Sequence, residues 1–118
     1  MMKFFDELLS LQDLCKRCGF DVDEAEKAIT DMVGEDILIA DEHGASWVTR
    51  RDGFKIVAAL TLKKVGRFTP AQVKKIMEDH SIDLENREPI LRLVDDSFLV
   101  IKMRLKNLRA RYITMLEK

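Results

Sequence analysis

The sequence predicts a mainly α-helical fold: a winged helix-turn-helix with a short two-stranded wing, continued by a long C-terminal helix that pairs two chains. Three observations carry this expectation. Apolar residues recur at helical spacing on both sides of Gly19, two short β-favouring runs flank Gly44, and residues 89–118 hold an apolar seam of alternating three- and four-residue steps.

The first helix is set by Leu11, Leu14, Cys15 and Cys18 and ends at Gly19. Asp23 and Glu24 then open a second helix, where acidic residues suit the N-terminal dipole, with Ala25, Ala28, Ile29 and Met32 on its inner face. Small or branched side chains at Cys15, Val22, Ala25 and Ala28 allow the two helices to cross closely. The wing is Asp36–Ala40 and Ala45–Val48, joined by Asp41-Glu42-His43-Gly44. Thr49 caps a helix from Arg50 to Lys64 that is apolar nearly all round and is therefore the expected buried centre. Thr69-Pro70-Ala71-Gln72 has a capping threonine, a proline at the first helical position and a glutamine three residues after the cap, which starts a helix to Asp79. These elements make residues 1–80 the winged domain, residues 81–88 a polar connector and residues 89–118 the final helix.

That helix is expected to be an antiparallel coiled coil between two copies. Leu91, Val94, Phe98, Ile101, Leu105, Leu108, Tyr112 and Met115 form the seam, a rod of about 42 Å at roughly 1.5 Å per residue. In a parallel pair Arg104 would face Arg109, whereas the antiparallel pair brings Asp95 towards Arg109. A homodimer follows from this reading.

Length and composition bound the function. The 118 residues, 47% hydrophobic and 35% charged, fit one folded domain with one extended appendage. No apolar run reaches the roughly 20 residues of a membrane span, so no membrane association and a cytoplasmic location are expected. Two cysteines fit a reducing compartment. The net charge of −1 conceals a division: residues 1–44 hold four basic against twelve acidic side chains, and residues 45–118 sixteen against nine. Such a split implies attraction between the halves, or between subunits, or different partners for each.

Over nearly its whole length the chain resembles the MerR family of bacterial regulators. The resemblance rests on residues 9–20 (LSLQDLCKRCGF), 48–52 (VTRRD) and 62–77 (LKKVGRFTPAQVKKIM), followed by a dimerising helix. It implies a dimer that lays each second helix in a DNA major groove. The family's arginine and paired aromatics on that helix have no counterpart in residues 25–32, and its wing arginine-x-tyrosine is replaced by Ser46-Trp47-Val48. Metal-sensing members carry cysteines near the start of the dimerisation helix, and this chain has none after Cys18.

Two readings of function follow. The first is a DNA-associated transcription regulator, with Lys16, Arg17, Arg50, Arg51 and Lys55 as candidates for phosphate contact. The second is a protein-binding adaptor, as in the MerR-like modulators of DnaJ-type co-chaperones, with Asp23, Glu24, Glu26, Lys27 and Trp47 as candidate partner contacts. No enzyme is expected, because no nucleophile stands beside a histidine and no glycine-rich phosphate loop occurs. Cys15 and Cys18 have half-zinc-site spacing but lack further ligands, so they are assigned to helix packing, with no metal and no cofactor.

Overall fold

The structure is a computed structural model that describes residues 3–94 and 100–117. In chain order it has α1 (Lys3–Asp6), β1 (Leu8–Ser10), α2 (Leu11–Cys18), α3 (Val22–Ala28, continued by a π-helical turn Ile29–Val33), β2 (Ile39–Ala40) and β3 (Ser46–Thr49). There follow α4 (Arg50–Lys64), α5 (Pro70–Asp79), β4 (Leu91–Val94), β5 (Val100–Met103) and α6 (Leu105–Glu117).

The helix boundaries have local causes. Ser10 Oγ accepts the Asp13 N–H at 3.0 Å and starts α2. Gly19 ends it at φ 79°, a left-handed conformation that costs glycine little. The inner face of α3 is buried through Ala25, Ala28, Ile29 and Met32, as the sequence predicts. α4 runs over the expected range, with Thr49 Oγ1 accepting the Asp52 N–H at 3.0 Å. It is the buried centre: Phe54, Ile56, Val57, Ala58, Ala59, Leu60 and Leu62 are all enclosed. α5 also matches, with Thr69 and Gln72 exchanging hydrogen bonds at 3.2 and 2.8 Å.

The two expected strands pair only in part, Ile39 opposite Trp47 and Ala40 opposite Ser46; Asp36 and Ile37, expected in the first strand, lie instead in a 3-10 turn, Glu35–Ile37. A third strand was not anticipated. β1 lies on the other edge of β3, with Leu9 opposite Val48, so the sheet order is β1-β3-β2. Leu8–Ser10 reads in sequence as an approach to the first helix; only pairing across 39 residues of separation makes it a strand.

The C-terminal third corrects the expectation of one long coiled-coil helix over 89–118. Residues 91–94 and 100–103 are antiparallel strands, and α6 spans only Leu105–Glu117. Leu91 pairs with Met103, Arg92 with Lys102, Leu93 with Ile101 and Val94 with Val100. The described residues of the assumed intersubunit seam are divided among β4, β5 and α6. Leu91, Leu105 and Tyr112 are buried in their own chain, Leu108 packs partly against the same core, and Met115 is half-buried. Val94 and Ile101 belong to the strands, and Phe98 lies outside the described residues. The physical reason is a nearer partner: α6 lies against α2 and α4, where the Tyr112 ring meets Phe54 at 5.3 Å between centroids. Its hydroxyl donates to the Arg50 carbonyl at 2.6 Å. The expected connector also contributes to the core, because Ile82 and Leu84 are buried with Leu93 and Leu116.

Candidate functional site

Most of the cations assigned to phosphate contact are engaged within the chain. Arg50 pairs with Glu7 at 3.2 Å, and its guanidinium lies 4.3 Å from the centre of the Phe4 ring. Arg51 pairs with Asp6 at 3.0 Å and also with Glu85. These two arginines fasten α1 to the start of α4 and, through Glu85, to the segment following α5. Arg17 pairs with Asp13 at 3.1 Å and donates to the Leu116 carbonyl at 2.5 Å. A cation there answers the negative end of α6. Lys55 pairs with Asp52 at 3.4 Å, and of the five candidates only Lys16 is exposed with no ion pair among the described residues.

The partner-contact candidates lie differently. On α3, Asp23, Glu26 and Lys27 are exposed, and Asp31 continues the same acidic surface into the π-helical turn. Asp23, Glu26 and Asp31 have no ion-pair partner among the described residues. Glu24 is set apart from them: it is half-buried, bonds Lys64 and accepts the Asp21 N–H at 3.5 Å. The hydrogen bond from Lys64 holds its carboxyl below the usual range, reinforced by the Asp21 backbone N–H. Between α3 and the wing runs an open cleft of about 310 Å³ lined by Ser10, Gln12, Val22, Glu26, Gly44 and Ser46 among others. The spacing of α2, α3 and the wing strands in sequence does not reveal this cleft. It forms because β1 and β3 pair and bring the wing tip back beside α3.

Trp47 is tied to the wing. Its indole Nε1–H donates to Asp41 Oδ2 at 2.8 Å, while Asp41 Oδ1 accepts the His43 and Ala45 N–H groups at 2.8 and 2.9 Å. The Trp47 hydrogen bond, followed by that from Ala45, holds the Asp41 carboxyl below its ordinary value. A depressed folded-state value means that Asp41 supports the wing above its unfolded pKa and loses that support as pH falls through the folded value. Trp47 is the single tryptophan, so its emission reports this event. A fluorescence change is expected below the ordinary aspartate pKa of about 3.9, ahead of the loss of far-ultraviolet circular dichroism. Asp41→Ala should shift the emission at neutral pH and remove the acid step; an unchanged acid step in that variant would refute the assignment.

The cysteines are packing residues in geometry as well as in sequence. Cys15 is buried and Cys18 half-buried against the core. Burial pushes both thiols up, Cys18 to about 11, with Asp21, Glu24 and Glu26 adding to the effect at Cys15. Both therefore remain protonated and weakly nucleophilic at neutral pH. Among the described residues no group of three or more His, Cys, Asp or Glu side chains is placed to hold a metal ion, and no helix is long and apolar enough to cross a membrane. Comparison with models of protein families, with curated proteins and with solved structures finds no match to this chain.

Proposed function

We propose that this chain is a non-enzymatic, MerR-like winged helix-turn-helix adaptor whose acidic α3 and adjoining cleft receive a basic segment of another protein. The order helix, turn, helix, wing and the three-stranded sheet β1-β3-β2 support the winged-helix reading. One observation carries the functional part: arginines suited to hold phosphates are bound to carboxylates of the same chain, while the outward carboxylates of α3 are left free among the described residues.

Charge decides between the two readings of α3. A second helix entering a major groove would bring Asp23, Glu26 and Asp31 towards DNA phosphates, with Lys27 as the counter-charge on that surface. Like charges inside a Debye length of about 8 Å repel without effective screening. Phosphate neutralisation supplies most non-specific DNA affinity, and this helix works against it. A lysine- or arginine-rich protein segment meets the same surface with attraction, and the cleft beside Glu26 gives it walls to pack on.

Affinity capture on the immobilised chain tests the proposal. One stoichiometric protein partner is expected, released by moderate salt and lost from the variant carrying Asp23→Lys and Glu26→Lys. These positions are exposed, so the variant should keep its circular dichroism and melting temperature. Retention of the partner by a correctly folded charge-reversed variant would exclude the acidic face as its seat.

A further inference from the structure

We propose that the outward face of the β4–β5 ribbon docks on duplex DNA, gripping phosphates through Arg92, Lys102 and Arg104. This goes beyond the protein-binding role of α3 and uses different residues. The register sets Arg92 directly opposite Lys102, so both side chains leave the same face of the ribbon. Leu91 and Leu93 are 5% and 0% exposed, which fixes the other face against the core. Arg92, Lys102 and, at the end of β5, Arg104 are exposed.

Like charges directly opposite on paired strands destabilise the pairing. Arg17, Arg50, Arg51, Lys55 and Lys64 each have a carboxylate partner, whereas Arg92, Lys102 and Arg104 have none among the described residues. Asp95 and Asp96 follow β4 in sequence and lie outside the described residues. Lys106 and Arg111 on α6 are exposed cations in the same C-terminal region. An external polyanion removes the repulsion between Arg92 and Lys102 and gives each a counter-charge.

Duplex DNA fits this surface in charge and in shape. A two-stranded ribbon is admitted by the major groove, and the outward side chains Arg92, Lys102 and Arg104 are charged.

The test is fluorescence anisotropy of the full chain with a labelled duplex of about 20 base pairs, titrated between about 50 and 200 mM salt. Three phosphate contacts predict a slope of log affinity against log salt of about −2.7, or roughly a 40-fold loss over that range. Arg92→Glu and Lys102→Glu, made singly, should each flatten the slope by about one and weaken binding at low salt about tenfold or more. Each replaces a like-charged cross-strand pair with an opposite-charged one, so the melting temperature should hold or rise while affinity falls. That divergence separates a docking surface from a structural effect. Lys74→Glu with Lys75→Glu, on the exposed side of α5, should leave duplex binding nearly unchanged.

The proposal is overturned if the duplex is not bound at low salt, or if the α5 variant loses as much affinity as Arg92→Glu. Binding of phosphatidylserine vesicles without binding of the duplex would also overturn it, and would assign the face to a membrane surface. Loss of duplex binding in the Asp23→Lys, Glu26→Lys variant, with binding by Arg92→Glu intact, would place the contact elsewhere.

Discussion

Tyr112→Ala is expected to destabilise the fold by about 3–5 kcal/mol, the range for truncating a large buried aromatic side chain. Tyr112 is fully buried, its ring tilts against Phe54, and its hydroxyl donates to the Arg50 carbonyl. Burial pushes the phenol pKa up, so the donor proton stays in place throughout the physiological range. Truncation removes the aromatic packing and leaves the Arg50 carbonyl without that donor. At a typical conversion for a domain of this size the melting temperature should fall by roughly 10–20 °C. Tyr112→Phe keeps the packing and should cost only about 1 kcal/mol.

Thermal melts at several protein concentrations give this prediction a second reading. Within one chain the Tyr112 contact stabilises independently of concentration, whereas a seam between two copies makes the melting temperature rise with it. A concentration-independent midpoint with the stated loss is expected. A small loss, or a midpoint that climbs with concentration in the native protein and not in Tyr112→Ala, would return Tyr112 to an intersubunit seam.

Gly53→Ala is the second large effect, and its sign runs against helix propensity. In an exposed helix, alanine for glycine gains about 1 kcal/mol. Here the added Cβ would lie 2.6 Å from Tyr112 Oη and 3.3 Å from a methyl of Leu14. The hydroxyl is buried and held by its hydrogen bond, so it has little room to yield, and overpacking of this kind costs about 1–3 kcal/mol. A net loss of up to about 2 kcal/mol is expected from chemical denaturation.

The double variant discriminates. Removing the hydroxyl by Tyr112→Phe vacates the clashing position, so Gly53→Ala in that background should be neutral or stabilising by up to about 1 kcal/mol. Additive costs in the two variants would show that the alanine strains something other than Tyr112.

Local chemistry was enough to read much of the helical framework. Gly19, Thr49, Thr69 and Gln72 bound their helices through hydrogen bonds to backbone groups within a few residues, and these need no distant partner. The acidic side of α3 was legible for the same reason, since a buried Ala25-Ala28-Ile29-Met32 stripe fixes which residues face outward. The fate of the arginines was not. Arg51 meets Asp6 and Glu85, which lie 45 and 34 residues away in sequence.

The C-terminal third shows why a strong periodic signal can mislead. Steps of three and four residues satisfy a coiled-coil seam, but Leu91-Arg92-Leu93 and Ile101-Lys102-Met103 also alternate with the period of two that a strand requires. Short runs meet both templates, and the choice belongs to whichever surface buries the apolar residues.

Sequence alone determined where α2 ends, where α4 and α5 begin, which side of α3 is apolar, and how charge divides along the chain. Those properties depend on neighbours within one or two helical turns. Tertiary packing decided that Leu8–Ser10 is a strand, that residues 91–94 and 100–103 pair as strands, that Tyr112 faces inward and that Arg50 and Arg51 are engaged. Each rests on contacts across tens of residues, whose free energy exists only once the chain has closed on itself.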